Sequence, residues 1–389
     1  MQSDSWRKFI ESLQRTYIQP PDLPAIERAC RAAVALADTP DDAPLVDVCL
    51  QAAVLALPVT GEYTTAARAQ TQRTSSASAP FGSIGIEFGR QGGGPTGPIV
   101  VATPLPNSPA ERAGVKPGDL IHEIDGRNIT GLSTDEAVLG FRGAPGSLVR
   151  IRLARGNEAQ LMTLDVVREV IRINHVRSKL LENGVVWARI SQFGASASGD
   201  LARQLAHHQA SLHGDVPQAL ILDLRHCLGG SLPEVQQALL TFLPAGTVVG
   251  WSRGRDETTP LRVQTLSPSS AVAAALDWRH VRLVVLVNSK TASGAELFAQ
   301  ALRRYRDAVL VGTRTAGSTQ IDQLVILPNG AHLRMPQALI LAADRSSWED
   351  SGLVPDIEFE ATSRAAFGAA DDPGLAHALQ WVGRSRSAP

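Results

Sequence analysis

The order of hydrophobic and polar residues divides the chain into three parts with different periodicities. Up to about residue 75, apolar residues recur at helical spacing in three runs, which predicts three helices. From residue 81, short alternating runs predict β-strands, with helical pieces at 110–113 and 133–141. From about residue 170, apolar strands alternate with helices, which is typical of a largely parallel sheet covered on both faces.

The third part has the most regular pattern. Its predicted strands and helices, in chain order, are strand 185–190, helix 195–208, strand 219–224, helix 232–242, strand 281–287, helix 294–304, strand 308–312 and helix 375–382. Residues 71–80 are rich in Ser, Thr and Ala without periodicity and are predicted to be a linker. These patterns predict boundaries that divide the chain into 1–79, 80–168 and 169–389.

The composition fits a folded protein with a large core. Of 389 residues 44% are hydrophobic, and 37 basic residues against 38 acidic ones give a net charge of -1. Without a basic excess, nucleic acid is not an expected partner. No apolar run reaches the length of a transmembrane segment, and the first residues, MQSDSWR, lack the pattern of a signal peptide.

The three cysteines are too few for a disulfide framework. Cys30 and Cys49 lie in neighbouring predicted helices and form either one disulfide or two buried thiols, and Cys227 is then unpaired. The histidines near the end of helix 195–208 have no carboxylates or cysteines at metal-ligand spacing. We therefore predict no metal and no cofactor.

Two turns after apolar strands are the places where chemistry is expected, because sites in such sheets form at the carboxyl ends of strands. After the second strand, Gly229 and Gly230 precede a helix and could point backbone N–H groups at an oxyanion. After the third, Ser293 lies at a helix start, which favours a developing alkoxide. Its spacing to Glu296 also fits a capping box, so Ser293 is either a helix cap or a nucleophile.

Residues 81–168 resemble a PDZ domain of the bacterial protease type. The matching segments are SIGIEF at 83–88, SPAERAGVKPGDLIHEIDG at 108–126 and TDEAVLGFRG at 134–143. The resemblance implies that backbone N–H groups of Ile84, Gly85 and Ile86 bind the C-terminal carboxylate of a peptide, which adds a strand to the sheet edge. Gly85 would let the peptide approach the backbone closely.

Nearly the whole chain resembles the C-terminal processing peptidases, also called tail-specific proteases. The matching motifs are ISQF at 190–193, ILDLRHCLGG at 221–230, VVLVNSKTASGAELFAQAL at 284–302, VLVGTRTAGSTQ at 309–320 and GLVPDIEF at 352–359. The resemblance implies an α/β fold, a clp/crotonase-like β-α superhelix core with an inserted PDZ domain and an N-terminal helical module. It also implies Ser293 as the nucleophile and the N–H groups of Gly229 or Gly230 and of Gly294 as oxyanion donors.

The sequence departs from this family at the general base. The lysine of the Ser-Lys branch is replaced by Ser318, and its supporting glutamine by Asp322. The chain has four lysines, none of which substitutes convincingly: Lys8, Lys116, Lys179 and Lys290. A tricorn-like branch uses a histidine and a glutamate instead; Glu349 matches the glutamate, but the segment 57–63 holds no histidine.

Three hypotheses follow from a retained serine without the lysine. In the first the chain is a serine endopeptidase, and His226, beside the two glycines, accepts the proton of Ser293 unless it is a structural histidine. The second is a non-catalytic scaffold that binds protein tails, and the third is an enzyme whose base comes from another subunit or partner.

The resemblance also bears on partners and location. It implies protein or peptide substrates bound by their C-terminal tails, and it leaves open a homo-oligomer or an adaptor protein. The family is mainly extracytoplasmic in bacteria, which favours the periplasm, although a cytoplasmic location also stays open.

Overall fold

The computed structural model describes residues 3–37, 42–59, 61–70, 81–90, 97–132, 134–156, 161–171, 174–212, 215–264, 278–360 and 365–384. The predicted linker 71–80 lies outside these residues. The described helices are all too short or too polar to cross a membrane. The helices that position the site are α1 (Asp4–Thr16), α2 (Leu23–Leu36), α3 (Asp42–Leu55), α4 (Pro109–Arg112), α5 (Thr134–Phe141), α6 (Ala197–Ser211), α7 (Leu232–Ala238), α8 (Gly294–Arg306) and α9 (Pro373–Arg384).

The strands form three larger sheets and one short pair. In chain order they are β1 (Glu62–Thr64), β2 (Gly82–Ser83), β3 (Ile86–Arg90), β4 (Ile99–Pro104), β5 (Leu120–Ile124), β6 (Arg127–Asn128), β7 (Leu148–Ala154), β8 (Met162–Val167), β9 (Glu169–Val170), β10 (Val176–Leu180), β11 (Val185–Ile190), β12 (Ala219–Asp223), β13 (Val248–Gly254), β14 (Thr258–Arg262), β15 (Arg282–Val287), β16 (Val309–Gly312), β17 (Gln320–Ile326), β18 (His332–Ala342) and β19 (Ile357–Glu358).

The predicted parallel sheet is confirmed. Its order is β10-β11-β12-β15-β16-β19, with parallel pairs from β11 to β19 and an antiparallel β10 at one edge. Successive residues of β12 enter two different hydrophobic clusters: Leu220 and Leu222 pack on one face, and Ala219 and Ile221 on the other. Burial of both faces explains why these strands are continuous apolar runs in the sequence.

The sequence patterns did not predict a second, antiparallel sheet. Its long strand β18 pairs with β1, β13 and β17, and β14 follows β13. From Ile321 onward, β17 alternates exposed and less exposed residues, and β1 joins the sheet from far away in the sequence. The pairings of β18 with β1 and β13 join distant segments and leave no local signal, and the sequence analysis also missed the hairpins β13–β14 and β17–β18.

The N-terminal helices pack against this second sheet and share its core. Phe9 and Leu13 of α1 lie in one buried cluster with Leu333 and Met335 of β18. Cys30 and Cys49 form a disulfide between α2 and α3, which answers the question left open by the sequence. The remaining cysteine, Cys227, is free and buried.

The segment that resembles a PDZ domain has its own sheet, in the order β3-β4-β5-β7-β8. Strand β3 pairs with β4 and lies at an edge of this sheet. A buried cluster that includes Ile84, Phe141 and Ile151 forms its core. The architecture as a whole is therefore a mixed α/β fold with an N-terminal helical region and a PDZ domain, as the sequence predicted.

Ion pairs join β3 of the PDZ domain to the parallel sheet. Glu87 accepts a hydrogen bond from Arg177 at 3.1 Å and another from Arg189, which is fully buried. Arg189 also lies 3.5 Å from the buried Asp223 at the end of β12. A guanidinium without access to water needs these carboxylates, so Glu87 is a structural contact between the two domains.

We predict that Glu87→Gln lowers the free energy of unfolding by about 3 kcal/mol, because it leaves the charge of Arg189 undercompensated. Urea unfolding measures the change. Glu87→Gln combined with Arg189→Met should recover part of the loss, since the buried charge is then also gone. Glu169→Gln, which breaks an exposed pair with Arg112, is the control and should leave the unfolding midpoint unchanged. Equal effects of the two glutamate substitutions would contradict this account.

Candidate active site

The turn between β15 and α8 holds Ser293 in a strained conformation. Its φ is 55° and its ψ is -121°, in the region that disfavours side chains. Two buried contacts fix the residues before it: Thr291 Oγ1 donates to the Leu224 carbonyl at 2.9 Å, and the Ala292 N–H donates to the Cys227 carbonyl at 2.9 Å. Strain that neighbours enforce is common at functional sites.

Ser293 keeps one half of the capping box with Glu296 that its spacing predicts, and its side chain makes no cap hydrogen bond. The Glu296 carboxylate accepts the Ser293 N–H at 2.9 Å, while the Glu296 N–H donates to the Ser293 carbonyl at 2.9 Å. The half-buried Ser293 side chain lines a cavity. The residue can therefore begin the helix and still present its hydroxyl to a substrate.

The Glu296 carboxylate also holds the loop that contains Ser318. It accepts hydrogen bonds from Thr315 Oγ1 at 2.5 Å, from the Gly317 N–H at 2.8 Å and from the Ser318 N–H at 2.9 Å. Burial raises the pKa of Glu296, and these donors oppose the shift. The sequence analysis treated this glutamate only as a cap; nothing in the local pattern signalled its contacts with residues 315–318.

The glycine loop after β12 lies directly against the Ser293 turn. A Cβ at Gly229 would stand 2.8 Å from the Gly294 nitrogen, and one at Gly230 would stand 2.4 Å from the Phe193 carbonyl oxygen. Side chains are therefore excluded at both positions. Burial raises the pKa of the Cys227 thiol to about 12, and a hydrogen bond from the Gly229 N–H acts in the opposite direction.

Two backbone donors remain beside Ser293. Within the described hydrogen bonds, the N–H groups of Gly230 and Gly294 have no acceptor, whereas that of Gly229 is directed to the sulfur of Cys227. Of the two glycines that the sequence offered as the first oxyanion donor, the geometry favours Gly230. Two unpaired N–H groups at the start of a helix suit a developing negative charge.

The cavity at Ser293 has a volume of about 880 Å³. It brings together Ser293, Gly230, Ser318, Asp322 and Glu349, which the sequence analysis had placed in separate motifs. The described residues that line it include no lysine and no histidine. Its proton-accepting side chains are carboxylates.

Three carboxylates line the cavity, those of Asp322, Glu349 and Asp350, and Glu349 is the best fixed of them, because Asp322 and Asp350 are exposed. Glu349 is half-buried, and its Oε2 accepts the Thr319 N–H at 3.0 Å together with the Thr319 hydroxyl. Asp322 is exposed and accepts a hydrogen bond from Gln320 Nε2 at 2.7 Å. Thr319, next to Ser318, therefore links Glu349 to the loop that Glu296 holds, a role the sequence analysis missed.

The structure does not bring His226 together with Ser293. His226 lines a different cavity of about 300 Å³ between the PDZ domain and the parallel sheet, where its ring lies 5.4 Å from that of Phe367. Its φ is 58°, and its N–H donates to Asn288 Oδ1 at 3.0 Å. Burial, followed by the charge of Arg189, lowers its pKa to about 4. A histidine so placed is a poor candidate for the base.

Buried charges, which the sequence analysis missed, hold the start of the glycine loop. Arg225 donates from Nε to Asp223 Oδ1 at 2.9 Å and from Nη1 to Asp372 Oδ1 at 2.9 Å. Arg189 Nη1 donates to the Arg225 carbonyl at 2.7 Å. An aspartate that ends a fully apolar strand was the one signal that could have indicated this clamp.

The candidate peptide-binding residues lie at the edge of the PDZ sheet. Ile84 is buried, Gly85 has a φ of 76°, and Ile86 begins β3. A Cβ at Gly85 would stand 2.6 Å from that of Ser108, so no other residue fits without a shift. The carbonyls of Ile84 and Gly85 accept the N–H groups of Ala110 and Leu105 at 2.8 and 3.0 Å, which fixes this loop.

The low pKa of His226 predicts a pH dependence of stability. As the pH falls below the ordinary value of 6.5, the unfolded chain binds a proton at this position while the folded chain does not until about pH 4. The stabilisation is present above pH 6.5 and is lost as the pH falls towards 4. Urea unfolding at several pH values should show a steeper acid decline for the wild type than for His226→Asn, since asparagine tolerates a positive φ. Parallel declines would contradict the prediction.

Comparison with known proteins identifies two domains. Residues 184–359 match the model for peptidase family S41, and residues 100–155 match a PDZ domain. The chain is 29% identical over 321 residues to a carboxy-terminal-processing protease of Bartonella bacilliformis, covering 82% of this chain and 71% of that protein. It is 30% identical over 285 residues to a probable CtpA-like serine protease of Staphylococcus aureus, covering 73% of this chain and 53% of that protein.

Solved structures agree in fold. The photosystem II D1 C-terminal processing protease superposes with a TM-score of 0.66 at 21% identity, covering 92% of this chain and 94% of that one. A putative S41 protease from Bacteroides fragilis gives a TM-score of 0.61 at 18% identity, covering 99% and 98%. With its S41 and PDZ domains, the chain belongs to the PDZ-containing S41 serine peptidases, the family of the carboxy-terminal-processing proteases.

Proposed function

We propose that this chain is a serine endopeptidase that hydrolyses peptide bonds with Ser293 as the nucleophile. The observation that carries the proposal is the strained Ser293 turn, whose side chain lines a cavity beside the unpaired N–H groups of Gly230 and Gly294. The non-catalytic alternative gains no support from the relatives, which are described as proteases.

In the proposed reaction, Ser293 Oγ attacks the carbonyl carbon of the scissile peptide bond. Negative charge develops on the carbonyl oxygen, which accepts hydrogen bonds from Gly230 and Gly294. The serine proton passes to a base and then to the leaving amine, so that the bond to nitrogen breaks and an acyl-enzyme remains. A water molecule then attacks the ester carbonyl carbon and gives its proton to the same base. The bond between this carbon and Ser293 Oγ breaks, the peptide leaves with a new carboxyl group, and Oγ takes the proton back from the base.

We assign the base to Glu349. It lines the cavity of Ser293, and the described lining residues offer no lysine or histidine in its place. The hydrogen bonds from Thr319 hold it in position, whereas Asp322 and Asp350 are exposed. His226 opens on another cavity and plays no part in the proposed proton transfer.

The proposed substrates are proteins with accessible C-terminal tails. A tail carboxylate would accept the N–H groups of Ile84, Gly85 and Ile86, and the chain before it would pair with the edge strand β3. The disulfide between Cys30 and Cys49 supports an extracytoplasmic location in a bacterium, because such bonds persist in oxidising compartments.

Turnover of an unfolded, fluorescently labelled protein tests the assignment. We expect Ser293→Ala to reduce kcat by about 10³-fold or more, since the nucleophile is lost. Glu349→Gln should reduce kcat by about 10²-fold or more with little change in KM, because the proton loses its acceptor.

His226→Asn is the matched control and should keep kcat within about twofold, as its ring faces another cavity. Equal turnover by the wild type and Ser293→Ala would contradict the proposal that Ser293 is the nucleophile. An unchanged kcat in Glu349→Gln would exclude only the assignment of Glu349 as the base. A lower kcat in His226→Asn would indicate that the histidine takes part in the reaction.

Ser318→Lys provides an independent test by gain of function. Ser318 lines the Ser293 cavity, and Glu296 fixes its backbone, so an introduced amine would enter the same space as the nucleophile. We expect Ser318→Lys to raise kcat above pH 8, where the amine is increasingly neutral, and to rescue Glu349→Gln. Ser318→Arg is the control, because a guanidinium has the charge but stays protonated. Equal rates for the two variants would contradict the expectation.

A further inference from the structure

Strand β17 leads away from the Ser293 cavity and has an unpaired edge. Its first residues, Gln320, Ile321 and Asp322, line the cavity, and the strand continues outward to Ile326. Within the described residues β17 pairs with β18 alone. No described hydrogen bond from outside this pair reaches the backbone of residues 321–326.

The direction of the β17 backbone follows from two hydrogen bonds. The Leu327 N–H donates to the Ala331 carbonyl at 2.8 Å, so Leu327 is a hydrogen-bonding position of the hairpin. The Pro336 carbonyl, opposite Asp322, accepts the Ile18 N–H at 3.0 Å on the far side of β18. Because positions alternate in an antiparallel pair, the N–H and C=O groups of Asp322, Leu324 and Ile326 point away from β18.

The same part of β17 exposes large apolar side chains. Leu324 is 54% and Ile326 is 58% exposed, and Leu228, which lines the cavity, is 66% exposed. Edge strands of folded proteins are normally guarded by lysine, proline or a bulge. Here the only bulge lies at the cavity end, between Ile321 and Asp322, and the outer half of the strand has no such guard.

We infer that β17 is a docking strand for the unfolded polypeptide that the Ser293 site cleaves. An extended chain would add to the free edge, pair with the outward groups of Asp322, Leu324 and Ile326, and place apolar side chains against Leu324 and Ile326. Only a chain without its own hydrogen-bonded structure has backbone groups free for this pairing. Cleavage of the bound chain rests on the proposed function, whereas its binding to β17 does not.

This surface is separate from the peptide edge of the PDZ domain. Strand β3 belongs to another sheet, and the proposed site there requires a free C-terminal carboxylate. Pairing along β17 requires none. Binding of a peptide whose C-terminus is amidated therefore reports on β17.

The test uses the full chain with Ser293→Ala, so that binding is measured without turnover. The probe is a fluorescent 14-residue peptide of alternating valine and threonine with lysines at its ends and an amidated C-terminus, followed by anisotropy. We expect Leu324→Asp with Ile326→Asp to weaken binding by about tenfold or more, through lost apolar contact. Leu148→Asp, at a strand position that is 61% exposed in the PDZ domain, is the matched control and should bind as before.

The affinity of N-methylated peptides tests the backbone pairing separately from the side-chain contacts. Peptides with a single N-methyl group, moved one residue at a time, should lose affinity at alternate positions, because only every second N–H faces β17. An unchanged affinity of the Leu324 and Ile326 variant, an equal loss in Leu148→Asp, or N-methyl effects without a two-residue period would overturn the inference. Leu324→Ala with Ile326→Ala, a milder pair, guards against a folding defect and should show a smaller loss in the same direction. Intact periodic binding with an inactive wild type would count against the proposed function alone.

Discussion

The buried carboxylate of Glu296 is the contact on which the geometry of the site depends. It accepts four hydrogen bonds, from the N–H groups of Ser293, Gly317 and Ser318 and from the Thr315 hydroxyl. Each buried donor left without a partner would cost about 1–3 kcal/mol. One side chain therefore fixes the Ser293 turn and the loop of residues 315–318 relative to each other, and the donors offset part of the cost of burying its charge.

This constraint separates the scaffold of the site from its proton chemistry. Ser318 contributes its backbone N–H to Glu296, so the loop keeps its position whichever side chain occurs there. The close approach of Gly229 to the Gly294 nitrogen likewise depends on backbone alone. A change of side chain at position 318 therefore leaves the hydrogen bond to Glu296 in place, and the chemistry of the cavity depends on the side chains that line it. The carboxylates among these side chains are those of Asp322, Glu349 and Asp350.

The features that could be predicted from the sequence are those that depend on neighbouring residues along the chain. The parallel sheet has strands buried on both faces, and Ser293 and the two glycines occupy turns with recognisable residues. The second sheet escaped in part because the pairings that assemble its hairpins, such as Glu62 with Arg334 and Trp251 with Leu341, join distant segments. His226 was misleading for a related reason. Its neighbours in sequence contact the Ser293 turn, but its own side chain lies in another cavity, beside Phe367.

The ion pairs beneath the glycine loop explain how the PDZ domain can be attached without being needed to shape the site. Three guanidinium groups face three carboxylates there: Arg177, Arg189, Arg225, Glu87, Asp223 and Asp372. Only Glu87 belongs to the PDZ domain. If β3 moved away, Arg225 would keep both aspartates and Arg189 would keep Asp223 and the Arg225 carbonyl. The loop would retain its hydrogen bonds, while two carboxylates would face three cations. Separating the domains is therefore opposed mainly by the excess of positive charge that it would leave, and less by any change in the shape of the glycine loop.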